Sequence, residues 1–527
     1  MSDVAVRITP SRRVRLSTSK ARLVAMLLAV ATLAAAVFVD VRIEPPRVRV
    51  EWAASVDADT RASLEQAYGL VDARRFESAN EPRLSGNTWS YRLVSPRSAQ
   101  ATRIFTDTRI VELQGVDRQR RTLPSTRFAL GWRAARERRE VAQRQSGVVL
   151  IGALLLGIMS LARSRRVRLG GAMVAIVALA VVMIRMPLEQ PIRTGDFETY
   201  VASRGNFDLY LAGPTVRFEA HLSSLLLRIL DRQLGGNAQA RAFERLGQCA
   251  SLWFAAMLLV AGWTLGWSPS ALRYMALATA TPATLMFFGY RELGYLSLNP
   301  AAFPLIVKGI QGVRRRFVAG SVLYGLGAAL HAFGLLSLIG TALSTVASRI
   351  RVKDRVILVL QAFAFGTSAY LIWLFIYLAV MHLSVTPGHA QQVPLRPLAV
   401  SRLIDHRVDY AVLSVEGLAD ALASSWMTGA WLLGAAVVVS RTRLRAAIVV
   451  AAFCLPSVIF LWAFWPVQGV AVEADLIFGA FPAVYALAWL AAQRLSVTVW
   501  SIIMFASGHA VFWRVMLGDF FVNSRVY

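Results

Sequence analysis

Cysteine is nearly absent from this chain. Cys249 and Cys454 are the two in 527 residues, and both lie in or beside apolar runs. That excludes a disulfide framework and cysteine-based zinc sites. The six histidines show no metal-ligand spacing. There is no P-loop and no GxGxxG opening a helix, so the phosphate-cradling loops of nucleotide enzymes are missing. Acidic residues are scarce as well: 31 Asp and Glu stand against 57 Lys and Arg, a net charge of +26. Such a balance raises nucleic acid as a partner. Here, however, the arginines outside the soluble stretch sit in short connections between apolar runs, where they act as orientation signals, and nucleic acid is set aside.

Apolar sequence is abundant. Hydrophobic residues make up 56% of the chain, against about 45–50% in soluble domains. The excess falls in runs of about 20 residues, the length that crosses a bilayer. The composition describes an all-α polytopic membrane protein.

Residues 1–20 form a basic tail, and the apolar run Leu23–Val39 within 21–40 reads as a retained anchor rather than a cleaved signal, being longer than a usual signal core. Residues 41–145 are soluble in character. Val48, Val50 and Trp52 alternate with Arg47, Arg49 and Glu51, as do Trp89, Tyr91 and Leu93 with Ser90 and Arg92. These are strands with one buried face. Asp59 to Leu70 reads as a helix capped by Asp57 or Asp59, Ser98 to Thr106 as a short helix, and Arg109 to Leu113 as a third strand. The sum is a small α/β domain of ferredoxin-like type placed after the first helix. Arg127 to Arg144 reads as a basic helix that either contacts anionic head groups or presents a solvated face.

From 146 to 527 the chain is a transmembrane core. Spans are expected near 147–163, 169–186, 249–266, 273–289, 298–312, 317–332, 333–348, 356–382, 421–440, 446–465, 476–493 and 495–514. With the anchor they make about 13. With a cytoplasmic N-terminus, every short arginine-rich connection falls on the cytoplasmic side: Arg163 to Arg168, Arg314 to Arg316, Arg349 to Arg355, Arg441 to Arg445 and Arg494. The domain 41–145 and the loop 187–247 then face outward.

That outer face collects the ionisable residues. Asp196 and Glu198 stand one residue apart in Arg-Thr-Gly-Asp-Phe-Glu-Thr-Tyr. The helix expected over 219–234 has an apolar stripe of Leu222, Leu225, Leu226, Ile229 and Leu230 and is read as lying flat at the interface. Arg291 and Glu292 link two spans, and His331 stands at a re-entry turn. His389, Arg396, Arg402, His406 and Arg407 follow in a long loop. Glu473 and Asp475 follow a Trp-Pro turn. Ionisable groups near membrane depth are a functional-site hypothesis by default. Each also has a plain structural reading. Asp196, Glu198, Glu473 and Asp475 serve as helix caps, His331 as a packed core histidine, and the remaining residues as solvated loop.

This arrangement resembles the GT-C glycosyltransferases, membrane enzymes that use polyprenyl-phosphate-linked sugars. The resemblance covers about 147–514 and rests on placement: Asp196-Phe197-Glu198 stands where that superfamily carries its acidic motif, and 219–234 where it carries a juxtamembrane helix. It implies transfer of a sugar to an acceptor hydroxyl on a glycan, lipid or protein, outside the bacterial cytoplasmic membrane. Asp196 is then the candidate base, and Glu198 orients the acceptor or binds a divalent cation. Arg291, His389, Arg396 and Arg402 are candidates to hold the lipid phosphate. Glu292, His331 and Asp475 are further candidate substrate contacts, matched to no motif of the superfamily. Two other classes stay open: a transporter or flippase for a lipid-linked or anionic substrate, and a non-enzymatic envelope assembly protein.

Overall fold

The structure is a computed structural model. It describes residues 47–75 except 69, 88–93, 107–116, 122–123, 148–185 except 150, 221–234, 239–281, 296–381, 398–414 in part, 444–463 and 481–493.

The N-terminal module is a five-stranded sheet with one described helix. The elements are β1 (Arg47–Trp52), α1 (Ala58–Tyr68), β2 (Leu70–Arg75), β3 (Thr88–Leu93), β4 (Ile110–Val116) and β5 (Thr122–Leu123). The strand order is β2-β3-β1-β4-β5, with every neighbouring pair antiparallel. Strands β1 to β4 thus take the order of a split βαβ unit. Val50 and Trp52 point into the core with Leu64, Tyr68, Leu70 and Tyr91, as the alternation along β1 requires. Asp57 caps α1 by accepting from the Thr60 N–H at 2.7 Å. Strand β2 is an addition to the expected elements, and the helix expected over 98–106 lies outside the described residues.

Two polar relays lock this module. The Trp52 indole N–H donates to the Tyr91 hydroxyl at 2.8 Å, and Tyr91 donates onward to Glu65 at 2.7 Å. Arg61 closes the chain, 3.3 Å from Glu65 and stacked 4.1 Å over the Trp89 ring. At the other edge Arg109 grips Asp107 with two bonds, 2.9 and 2.8 Å, while Tyr68 donates to the same carboxylate. The Arg109 guanidinium, aided by Tyr68, holds the Asp107 carboxyl down at about 2. Burial, then the bond to Asp107, pushes the Tyr68 phenol up to about 12.

The rest of the described chain is mostly helical. The helices are α2 (Arg165–Arg185), α3 (His221–Gln233), α4 (Gln239–Thr264), α5 (Pro269–Thr279), α6 (Asn299–Ile310), α7 (Arg314–Leu330), α8 (Gly334–Ala347), α9 (Val352–Met381), α10 (Leu444–Ala463) and α11 (Phe481–Ala492). Residues 151–159 are helical too. Among the described residues four segments are long and apolar enough to cross a membrane: Arg165–Ile184, Arg245–Thr264, Val352–Val380 and Arg445–Ala463. Leu296–Ile310, Gly334–Ala347 and Phe481–Ala492 are shorter apolar helices. The segments expected over 21–40, 421–440 and 495–514 lie outside the described residues.

Several boundaries move for identifiable reasons. Helix α5 starts at Pro269, not near 273, because Ser268 accepts from the Ala271 N–H and proline suits the first helical turn. It ends at Thr279. Helix α4 begins at Gln239, so the interval 187–247 is helical through its last residues.

Small residues set how closely the helices approach, as is common where apolar side chains gain little by leaving lipid. A Cβ on Gly325 of α7 would collide with the carbonyl oxygen of Gly366 on α9. One on Gly340 of α8 would collide with that of Phe453 on α10. One on Gly320 would lie 2.9 Å from the carbonyl oxygen of Ala302, which fixes the register of α6 against α7.

The connections sort to two ends. At one end Arg168 of α2 donates to the Trp267 carbonyl oxygen at 3.0 Å, and Arg316 of α7 to that of Thr264 at 3.3 Å. Arg314 pairs there with Asp354 at 2.7 Å. At the opposite end Gln248 of α4 donates to the Ile184 carbonyl oxygen at 3.3 Å, and Phe333 packs on Phe460 of α10 at 5.0 Å. The arginine-rich connections around 163–168, 314–316 and 349–355 therefore share one end.

Candidate functional site

Of the candidate residues, His331 alone has a described side chain. Asp196, Glu198, Arg291, Glu292, His389, Arg396, His406, Glu473 and Asp475 lie outside the described residues. Arg402 lies in the hairpin β6 (Arg402–Ile404) and β7 (Arg407–Asp409), opposite Asp409.

What is described is the frame from which those segments depart. Helix α2 ends at Arg185 and the chain returns at His221, bracketing Asp196 and Glu198. Helix α9 ends at Met381, before His389 and Arg396, and α10 ends at Ala463, before Glu473 and Asp475. These ends meet at the end of the bundle that carries His331, away from the arginine-rich connections.

His331 terminates α7. Its backbone is extended, with φ −158° and ψ 137°, and its N–H still reaches the Gly327 carbonyl oxygen at 2.9 Å. The next helix starts three residues on, so the expected re-entry turn is residues 331–333. The Phe333 N–H donates to the imidazole Nδ1 at 3.2 Å. An accepting Nδ1 places the proton of the neutral ring on Nε2. The ring lies 4.3 Å from that of Phe333 and is buried. His331 thus satisfies the N–H of Phe333, the residue that leads into α8, from two positions upstream. That is its plain structural reading.

A second histidine, His221, was not among the candidates. It opens α3, is fully buried, and meets Tyr370 of α9 edge-on at 4.8 Å and Tyr377 at 6.2 Å. Two positions on, Ser223 donates to the Leu330 carbonyl oxygen at 2.7 Å. Helix α3 therefore bridges α7 and α9 and also packs on α4. One signal for His221 was legible in the sequence: an ionisable residue at the head of an amphipathic helix.

Helix α3 buries one leucine beyond its expected stripe, Leu227. Leu222, Leu225 and Leu227 are buried, whereas Ile229 is 42% exposed. Leu225 and Leu227 pack with Ala242, Leu246, Leu374, Tyr377 and Leu378. The helix is docked on protein at the end of the bundle. The length of α9 makes this dock. Its 30 residues extend about 45 Å, more than the roughly 30 Å of a hydrocarbon core.

Inside the bundle, α5 and α6 are short, at 11 and 12 residues. They span about 16–18 Å, and both chain ends between them, Thr279 to Thr281 and Leu296 to Asn299, are buried. Pro304 lies inside α6 and has no N–H to give the Pro300 carbonyl oxygen. The Tyr274 hydroxyl takes that role from α5 at 2.9 Å. Among the described residues the Asn299 amide nitrogen and the Tyr324 hydroxyl have no hydrogen-bond partner. No three His, Cys, Asp or Glu side chains among the described residues converge on a cation position.

No family model, curated protein or solved structure matches the chain.

Proposed function

We propose that the chain is a membrane glycosyltransferase of GT-C type, moving a sugar from a polyprenyl phosphate to an acceptor hydroxyl. The proposed architecture is about 13 spans, with the sheet module following the first. The N-terminus is cytoplasmic and the site lies outside the cytoplasmic membrane.

The observation that carries this reading is the bracketing of Asp196-Phe197-Glu198. The chain leaves α2 and returns as α3, a helix docked on the end of the bundle opposite the arginines. In the proposed step Asp196 takes the proton of the acceptor hydroxyl as its oxygen bonds to the anomeric carbon. The bond from that carbon to the phosphate oxygen breaks, and polyprenyl phosphate leaves with the electron pair. Such a base contributes about 10²–10⁴-fold. Arg291, His389, Arg396 and Arg402 offset the charge growing on the phosphate. Glu198 orients the acceptor or holds a divalent cation. Glu292, His331 and Asp475 line the acceptor side. A single displacement inverts the anomeric centre.

The test is Asp196→Asn in vesicles supplied with a polyprenyl-phosphate sugar. Asparagine is as good a helix cap as aspartate but accepts no proton at neutral pH. Loss of transfer in a monodisperse protein supports the base. Near-normal transfer removes Asp196 from the chemistry.

A second reading draws on a different observation. Short helices whose polar ends are buried within the bundle, as in α5 and α6, occur in transporters that bind substrate at mid-depth. A lipid-linked or anionic cargo moved by the purified protein, without sugar transfer, would favour that reading.

A further inference from the structure

The arginine-rich end divides into two populations. One is consumed by structure. Arg168 donates to the carbonyl oxygens of Ala162, Arg163 and Trp267, Arg316 to that of Thr264, and Arg355 to those of Ser348 and Ile350. Each closes the carbonyl end of a neighbouring helix, where a cation also meets the negative end of the helix dipole.

The other population makes no such bonds. Arg165, Arg166, Arg315 and Arg351 are exposed, and their side chains have no hydrogen bond or ion pair among the described residues. They also stand in the wrong place for the dipole. Helices α2, α7 and α9 all begin at this end, and helix N-termini favour anions. The first turns of α2 and α7 hold no acidic residue. Helix α9 has Asp354, already paired with Arg314. Clustered cations on positive helix ends leave a local excess of positive charge.

Beside these cations lie exposed apolar ridges. Val167, Val174 and Val177 run up α2 from Arg165 and Arg166, and Val352, Val356 and Leu360 run up α9 from Arg351. Val174 is 70% exposed and Leu360 63%. A cationic cluster at the foot of an exposed apolar ridge matches a molecule with an anionic head and apolar tails.

We propose that this end of the bundle binds anionic phospholipids, with head groups on Arg165, Arg166, Arg315 and Arg351 and acyl chains along the exposed faces of α2 and α9. An acidic soluble partner would meet the same cations without using the ridges. A role limited to orienting the chain during insertion would leave no lipid preference in the finished protein.

The test uses the full chain purified from mixed micelles of phosphatidylglycerol and phosphatidylcholine. Native mass spectrometry reads the lipids that stay bound. The wild-type protein is expected to retain phosphatidylglycerol several-fold over phosphatidylcholine, and the preference should fall as salt rises. Equal retention of the two lipids by the wild type overturns the proposal without any variant. The combined replacement of Arg165, Arg166, Arg315 and Arg351 by Gln should abolish the preference. Replacement of the same four by Lys keeps the charge and should restore it. A monodisperse Gln variant that keeps the full preference also overturns the assignment.

Discussion

The Ser223 hydroxyl donates to the carbonyl oxygen of Leu330 at 2.7 Å, across 107 positions of sequence. That carbonyl belongs to the last turn of α7, where intrahelical donors have run out, because the Gly334 N–H turns to His331 instead. One hydroxyl thereby fastens the helix that follows Asp196 and Glu198 to the turn that holds His331.

Removing that hydroxyl leaves the Leu330 carbonyl buried and unpaired. Ser223→Ala is expected to cost about 1–3 kcal/mol. Hydrogen exchange should rise in α3 and in 327–334 and stay unchanged around the Arg314–Asp354 pair. A helix lying free on a membrane surface would show no such coupling, so unchanged exchange in 327–334 would detach α3 from α7.

The two ends of the bundle should be separated by the membrane. Gln311, in the exposed turn between α6 and α7, lies at the arginine end. Gln311→Cys is expected to react with an impermeant thiol reagent only after spheroplasts are permeabilised. Ser85→Cys, in the interval after β2, is expected to react in intact ones. Ser164→Cys should follow Gln311→Cys whichever side proves to be cytoplasmic, because Arg168 and Arg316 grip the same α4–α5 turn. Opposite labelling of Ser164→Cys and Gln311→Cys would break the bundle as described.

The sheet module should respond to pH at both extremes. The Asp107 carboxyl lies near 2 in the fold, below its ordinary 3.8. Its contribution is complete above 3.8 and is lost as pH falls toward 2. The Tyr68 phenol is raised from 10.0 to about 12. Its contribution is complete below 10.0 and is lost as pH rises through about 12. Asp107→Asn is expected to flatten the acid limb. Hydrogen exchange of peptides covering 58–75 and 107–116, corrected for its intrinsic pH dependence, measures both limbs. An acid limb of equal size in the variant would place the linkage elsewhere.

The legibility of this chain follows the range of the forces involved. Alternation along β1 exposed its buried face because one pleated face meets one core. Strand β2, Leu-Val-Asp-Ala-Arg-Arg, hid because polar residues and a register shift between Val71 and Arg74 break the alternation. The turn at His331 was readable from a glycine-bounded break between two apolar runs. The rotation of α3 was not, since Leu227 is buried not only by the next helix, α4, but by α9, about 150 positions away. His221 was missed for the same reason: its burial comes from Tyr370 and Tyr377, about 150 positions away. The catalytic candidates were read from residue type and placement, and apart from His331 and the backbone of Arg402 they lie outside the described residues.

Asn299 separates the two functional readings. Its amide nitrogen is buried at the start of α6 with no hydrogen-bond partner among the described residues. An unpaired buried donor costs about 1–3 kcal/mol. If the chemistry lies at the His331 end, this donor serves no substrate, and Asn299→Leu, which has the same branched outline but more apolar volume, removes a cost. The variant is then expected to unfold at a higher temperature and to keep its transfer rate. If substrate instead binds at mid-depth between α5 and α6, the amide is a ligand, and the same substitution lowers substrate affinity whatever it does to stability. Tyr324→Phe removes another buried group with no partner among the described residues and should follow the same pattern. The paired measurements are thermal unfolding without substrate and turnover with it. Higher stability with unchanged turnover fits the transferase site at the end of the bundle. Loss of substrate binding in a well-folded Asn299→Leu protein would move the site into the bundle interior and favour the transporter.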